Sequence, residues 1–339
     1  MRNDQNSLRE VMEQNDLVTY AYSQYLNRTP RFLTADMVES LASDCDLSRD
    51  EAFLTLFAAA CGFDTAAERS HREIERAYIR TGVRRLDPEI YRGDRYYQTV
   101  KFPEKKMGKW EMRQEFYAPY EPFVRTHPVL TEQFRSIPQL GYFDESFAFP
   151  AILENGVEWM TVTPNEIETM REPIAACHGR VLTLGLGLGY FAFHASCKTD
   201  VESVTVVERD RDVIELFRAE LLPQFPHREK VRIEEADAFA FLDRDAVRRS
   251  YDSIFADLWH DQSDGLEMYL RLRRIEEKRK LPRVDYWIEP TLLSALRCVL
   301  WKRLTEEISV TDHHQSDAIA TVLSDAFLRE LAPTLGKTQ

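Results

Sequence analysis

Residues 180–194 read RVLTLGLGLGYFAFH, and three of the chain's twelve glycines, Gly185, Gly187 and Gly189, fall within five of those positions. Glycine costs a strand or helix roughly 0.5–1 kcal/mol relative to alanine, so this cluster marks a turn whose backbone must pass close to something. In an α/β sheet, the turn from the first strand into the first helix lies where ligands bind. Acids recur at the ends of the later apolar runs: Glu208 in SVTVVERD, Asp237 with Ala238 in EEADAFAFL, and Asp257 in FADLWHDQ. A carboxylate at 208 can accept both hydroxyls of a ribose, and an acid beside a small residue at 237–238 can meet the amino edge of adenine. Asp257, His260 and Asp261 are candidates for proton removal or charge pairing, and Trp259 for contact with a cationic acceptor. Trp159 and Glu166, just before the first strand, are further substrate-side candidates. Plainer readings stand beside these: Trp259 packs its loop, His260 faces solvent, and Glu166 completes a capping box with Thr163, the preferred role for that residue.

The elements that must position these residues are legible as short apolar runs alternating with helical patterns. Strands are expected at 180–184, 201–208, 230–235, 251–257 and 283–289, with helices between them. This alternation predicts βαβ units, hence an α/β fold with a doubly wound, mostly parallel sheet. Ahead of it, Asn155-Gly156 between two apolar runs predicts a β-hairpin. Pro164 then opens a helix expected to end near Cys177, with Gly179 closing it.

The glycine spacing fits GxGxG better than the dinucleotide pattern GxGxxG/A, because residue 190, which that pattern needs small, is Tyr. With VLTLGLGLG, VVERD, EADAFAFL and YDSIFADLW in this order, residues 179–290 resemble the class I S-adenosylmethionine (SAM)-dependent methyltransferases. The resemblance implies SAM as cofactor, held by Gly185, Gly187, Gly189, Glu208, Asp237, Ala238 and Asp257. It implies methyl transfer to an acceptor, expected to be a small molecule, with an amine the favoured class. Two departures stand out. Thr183 occupies the position where the family often carries an acid, and the segments after the fifth strand look helical, with only ISV as a further strand candidate. The hairpin before the domain also resembles that of the spermidine synthases, which makes aminopropyl transfer from decarboxylated SAM the alternative. A non-catalytic binding protein on the same fold is the second alternative.

The remainder of the chain bounds these readings. Residues 1–146 are expected to form a mainly helical N-terminal region, a cover for the acceptor pocket or a homodimer element, and 147–339 the SAM-binding domain. Ser48 and Glu51 stand at capping-box spacing and Gly62 closes that helix. Between 101 and 117, Lys101, Lys105, Lys106, Lys109 and Arg113 interleave with aromatics, a pattern that could stack bases. Nearby acids and a net charge of −13 disfavour nucleic acid as a partner. The basic run at 271–283 is read as a solvated helix face, given Glu276 and Glu277. The five cysteines show no ligand or disulfide spacing, so free, buried thiols and no metal are expected. No stretch approaches the ~18 apolar residues of a membrane span, and a cytoplasmic protein is expected.

Overall fold

The computed structural model describes residues 2–259, 262–307 and 322–331. The strands are β1 (Val83–Arg85), β2 (Lys105–Met107), β3 (Trp110–Tyr117), β4 (Phe123–Leu130), β5 (Ser136–Tyr142), β6 (Phe147–Glu154), β7 (Val157–Thr161), β8 (Gly179–Leu184), β9 (Val201–Glu208), β10 (Val231–Glu235), β11 (Ser253–Ala256) and β12 (Val284–Tyr286). The described residues divide into two compact units that interleave along the sequence: 2–89, 116–148 and 301–307 form one, and 90–115, 149–259, 262–300 and 322–331 the other. The division expected at 146/147 therefore differs from the one observed. The N-terminal region is mainly helical only to about residue 82, and strands occupy much of the stretch from 83 to 161.

In the first unit, the helices Arg2–Arg28, Ala35–Cys45 and Arg49–Ala60 share a core with the sheet β1-β5-β4. Ser48 and Glu51 form the expected capping box, and Gly62 adopts a positive φ after the helix. The core is aromatic: Phe53 lies 3.8 Å from Tyr142 between ring centroids, and Phe57 contacts Tyr22 and Tyr25. Tyr142 still satisfies its hydroxyl, donating to Asp50 Oδ1 at 3.0 Å.

In the second unit, five parallel strands run in the order β10-β9-β8-β11-β12. This is the doubly wound α/β arrangement, with the strand order reversing between β8 and β11. Alternation along β11 covers both faces. Ile254 and Ala256 join a cluster with Tyr269 and Leu272 of the helix Gln262–Arg279, while Phe255 stacks on Phe191 of the helix Tyr190–Cys197 at 4.2 Å. The Asn155-Gly156 hairpin joins β6 to β7, both turn residues having positive φ, in a second sheet of order β2-β3-β6-β7.

Several expectations change in detail. The helix Pro164–Ala176 ends on an extended Cys177, and Gly179 begins β8 instead of capping that helix. Glu276 is buried, accepting from Tyr286 Oη at 2.8 Å, so its helix face is not wholly solvated. All five cysteines are free, but only Cys177 is buried; Cys45 and Cys298 are exposed. After β12 come the helices Glu289–Glu307 and Asp325–Leu331, while ISV at 308–310 lies outside the described residues. No helix among the described residues is long and apolar enough to cross a membrane.

Candidate active site

Register alone brings the chemistry together. Leu184 of β8 pairs with Val207 of β9 on one side and Ala256 of β11 on the other. The next residue of each strand, Gly185, Glu208 and Asp257, therefore falls on one line at the carboxyl edge of the sheet. Asp237 follows two residues beyond β10, whose Glu235 pairs with Glu208.

The glycine turn packs against protein more than was expected. Gly185 has φ +97°, and a Cβ there would lie 2.0 Å from the Asp257 carbonyl oxygen, so only glycine lets the turn lie on the end of β11. Gly189, with φ +76°, opens the helix Tyr190–Cys197, and a Cβ would meet Phe217 at 2.3 Å. Gly185 and Gly187 line the cavity above the strand ends, and Gly189 turns the chain into the helix that follows.

That cavity has a volume of about 200 Å³ and is also lined by Glu208, Asp237, Ala238, Asp257, Trp159 and Trp259. Glu208 accepts backbone N–H bonds from Arg209 at 2.7 Å, Asp210 at 2.8 Å and Leu186 at 3.3 Å. Asp237 caps the helix Ala238–Leu242 by accepting from the Ala240 N–H at 2.8 Å. Both carboxylates are thus oriented by backbone amides and retain lone pairs for a ligand. One wall is aromatic. Trp159 meets Trp110 edge-on at 5.6 Å, and Trp110 donates its Nε1–H to Asp210 at 3.1 Å. Lys109 bridges Glu154 at 2.5 Å and Asp210 at 3.5 Å. Trp159 is the substrate-side candidate named from sequence; the part of Lys109 and Trp110 in this cavity was missed because the period of residues 85–145 does not read as strands. Lys105 and Lys106 likewise face Glu220 and Glu111.

Beyond the glycine turn, a recess of about 30 Å³ opens from the same cavity, lined by Glu166, Asp257, Thr183 and Tyr190. It has room for one or two waters or a group of that size. Thr163 forms no side-chain cap, so the expected capping box is absent, and Glu166 instead turns to the recess beside Asp257. Both carboxyls are half-buried, and among the described residues no hydrogen bond reaches either side chain. Desolvation pushes Asp257 up to about 7; desolvation and then the nearby Asp257 charge push Glu166 well above the usual carboxylate range.

Trp259 is 8% exposed and lies 6.4 Å from Tyr286 in the apolar cluster beneath the sheet edge, so its packing role holds; its Nε1 has no hydrogen-bond partner among the described residues. His260 and Asp261, expected as catalytic candidates, lie outside the described residues.

No family model matches the chain, and no curated protein matches it. Among solved structures, it is similar to the spermidine synthase from Thermotoga maritima, with 18% identity and a TM-score of 0.29, covering 42% of this chain and 54% of that one. The match spans about half the length of that protein. The cavity's own residues therefore carry the functional reading.

Proposed function

We propose that this chain is a SAM-dependent methyltransferase acting on a small acceptor that bears an amine. One observation carries the reading: Glu208 and Asp237, ending adjacent strands, flank a glycine turn on a single cavity at the reversal of strand order. Glu208, fixed by three backbone amides, offers the remaining lone pair of Oε2 to a ribose hydroxyl. Asp237 and the first-turn N–H of Ala238, which has no partner within its own helix, offer an acceptor and a donor to the edge of adenine. Trp159, Trp110 and Met160 supply apolar walls.

When bound, SAM supplies a methyl sulfonium, which is electrophilic without further activation. The chain has to hold the acceptor in line and take a proton from an acceptor that arrives as an ammonium, freeing the nitrogen lone pair that attacks the methyl carbon as its bond to sulfur breaks. Asp257, displaced to about 7, is matched to that proton near neutral pH and stands where cavity and recess meet. A second reading, aminopropyl transfer from decarboxylated SAM, is favoured by the recess itself. Among the described residues its lining holds two carboxylic acids and no Lys, Arg or His, which suits a tail with an ammonium and no carboxylate.

Thermal unfolding with SAM, S-adenosylhomocysteine, decarboxylated SAM and NAD tests the reading. A ligand at about 100 times its Kd adds roughly 2.7 kcal/mol to the folded state. Stabilisation by SAM and S-adenosylhomocysteine, lost in Asp237→Ala, is the expected result. Preference for decarboxylated SAM selects the second reading, and no shift with any of the four overturns both.

A further inference from the structure

We propose that Asp94 and Tyr96 are positioning residues: from outside the cavity they clamp the two residues that flank Gly189, and so hold the glycine turn in its ligand-binding form. The assignment rests on the nucleoside reading above.

The turn needs an external hold. Gly187 and Gly189 both have positive φ, and glycine gives up more conformational freedom on ordering than any other residue. Leu188 lies between them and outside the following helix, whose ladder starts with the Phe193 N–H donating to the Gly189 carbonyl at 2.8 Å. The Leu188 carbonyl is met by Tyr96, which donates its buried hydroxyl at 2.7 Å. On the other side of Gly189, Tyr190 donates its hydroxyl to Asp94 Oδ2 at 3.0 Å. Asp94 is itself braced: Oδ1 accepts from the Tyr96 N–H at 2.8 Å and lies 3.2 Å from His194 Nε2. Tyr190, Phe193 and His194 share one face of their helix, at i, i+3 and i+4, and Tyr96 packs edge-on against the first two at 5.5 and 5.3 Å. Two residues of one short segment thus grip both sides of Gly189.

Protonation fixes the direction of these bonds. Burial and then the Asp94 charge push both tyrosine hydroxyls up, so they remain donors. Burial opposes ionisation of Asp94, but the bonds with His194, the Tyr96 N–H and Tyr190 outweigh it and hold the carboxyl below its usual range. Asp94, Tyr96 and His194 are not among the residues that line the cavity or the recess, so they act on a ligand through the turn. A turn ordered beforehand loses less freedom on binding, and that difference is read as affinity.

The test compares the full chain with Tyr96→Phe and with Gln224→Ala, which cuts two bonds to the Lys101 backbone farther along the same segment. Amide hydrogen exchange at residues 186–190 and calorimetric affinity are measured with S-adenosylhomocysteine and with 5′-methylthioadenosine, which lacks the amine-bearing tail. Tyr96→Phe is expected to speed exchange at the turn about tenfold in the free chain, with the parent rate restored at saturation, and to weaken both probes alike by about fivefold to tenfold. Gln224→Ala should leave turn exchange and both affinities within about twofold of the parent. Asp94→Asn, close in shape and uncharged, is expected to act in the same direction as Tyr96→Phe and decides the matter if that variant fails to fold. Unchanged turn exchange or unchanged affinities in Tyr96→Phe overturn the assignment and leave the nucleoside reading standing. An equal loss in Gln224→Ala does the same, because the segment would then be merely structural. Binding of neither probe by the unmodified chain overturns the nucleoside reading and this assignment with it.

Discussion

The cavity carries two pairs of carboxyl groups, and they are supported in opposite ways. Glu208 and Asp237 lie at the ends of β9 and β10 and accept four backbone N–H bonds between them. Glu166 and Asp257 lie at the other end, half-buried, and accept none from the described residues. The first pair is oriented by backbone amides, an arrangement that suits hydroxyl and amine donors. The second pair is left short of donors, so its charge depends on what enters. Fixed recognition and conditional charge thus share one cavity, separated by the glycine turn.

The largest effect comes from removing that separation. Gly185→Ala puts a Cβ 2.0 Å from the Asp257 carbonyl oxygen at a φ of +97°. Because the obstacle is backbone, relief requires the turn or the end of β11 to move, and a loss of roughly 3 kcal/mol or more is expected in chemical denaturation. Nucleoside binding should vanish with it. A variant that retains both stability and binding would show that the two ends are not held together through this contact. Next in size is Glu208→Ala, which strands three loop amides and removes the carboxylate proposed to meet the ribose. A stability loss of about 1–3 kcal/mol is expected, with affinity for S-adenosylhomocysteine reduced about 100-fold.

Asp257→Asn probes the other end through pH. The folded-state value of Asp257 is raised to about 7, so between about pH 4 and about pH 7 the folded chain binds this proton more tightly than the unfolded chain. Stability from this group is therefore present at low pH and declines as pH climbs through that window. Asn does not titrate, so the variant gains on the unmodified protein in urea midpoint between pH 5 and pH 8 in ligand-free conditions. Asp252, lowered to about 2 by its hydrogen bonds with Arg180, loses its contribution only in far more acidic solution and is common to both proteins. A stability difference between variant and parent that is the same at both pH values would break the contrast between the two ends.

These two ends also differ in how far they could be read from sequence. Glu208 and Asp237 are legible because they sit at fixed offsets from strands whose apolar runs announce themselves, and the register of a parallel sheet carries them to one edge. Glu166 was named as a substrate-side candidate but preferred as a helix cap, since Thr163, Pro164 and Glu166 have the spacing for one; tertiary packing, which spacing does not encode, turns that side chain to the recess. The glycines announced a close approach, but their pattern could not say that the approach is to Asp257 and Phe217. Of the aromatic wall, Trp159 was named in the sequence beside the hairpin, whereas Trp110 opens β3, whose charged WEMRQEFY run does not alternate cleanly between apolar and polar residues.

Trp159→Ala is the smallest and most discriminating of the changes. Trp159 is 38% exposed and touches Trp110 edge-on, so its removal from the ligand-free chain should cost less than about 1 kcal/mol. Its place in the cavity lining, alongside Glu208 and Asp237 and absent from the recess, predicts an effect on the nucleoside end alone. Affinities for S-adenosylhomocysteine and 5′-methylthioadenosine should then fall together, by about fivefold, since a half-exposed aromatic wall contributes on the order of 1 kcal/mol to a stacked or walled base. Their ratio should stay fixed. If Trp159→Ala instead weakens the amine-bearing probe selectively, the tail runs along the tryptophan wall, and the contrast between the two ends of the cavity breaks.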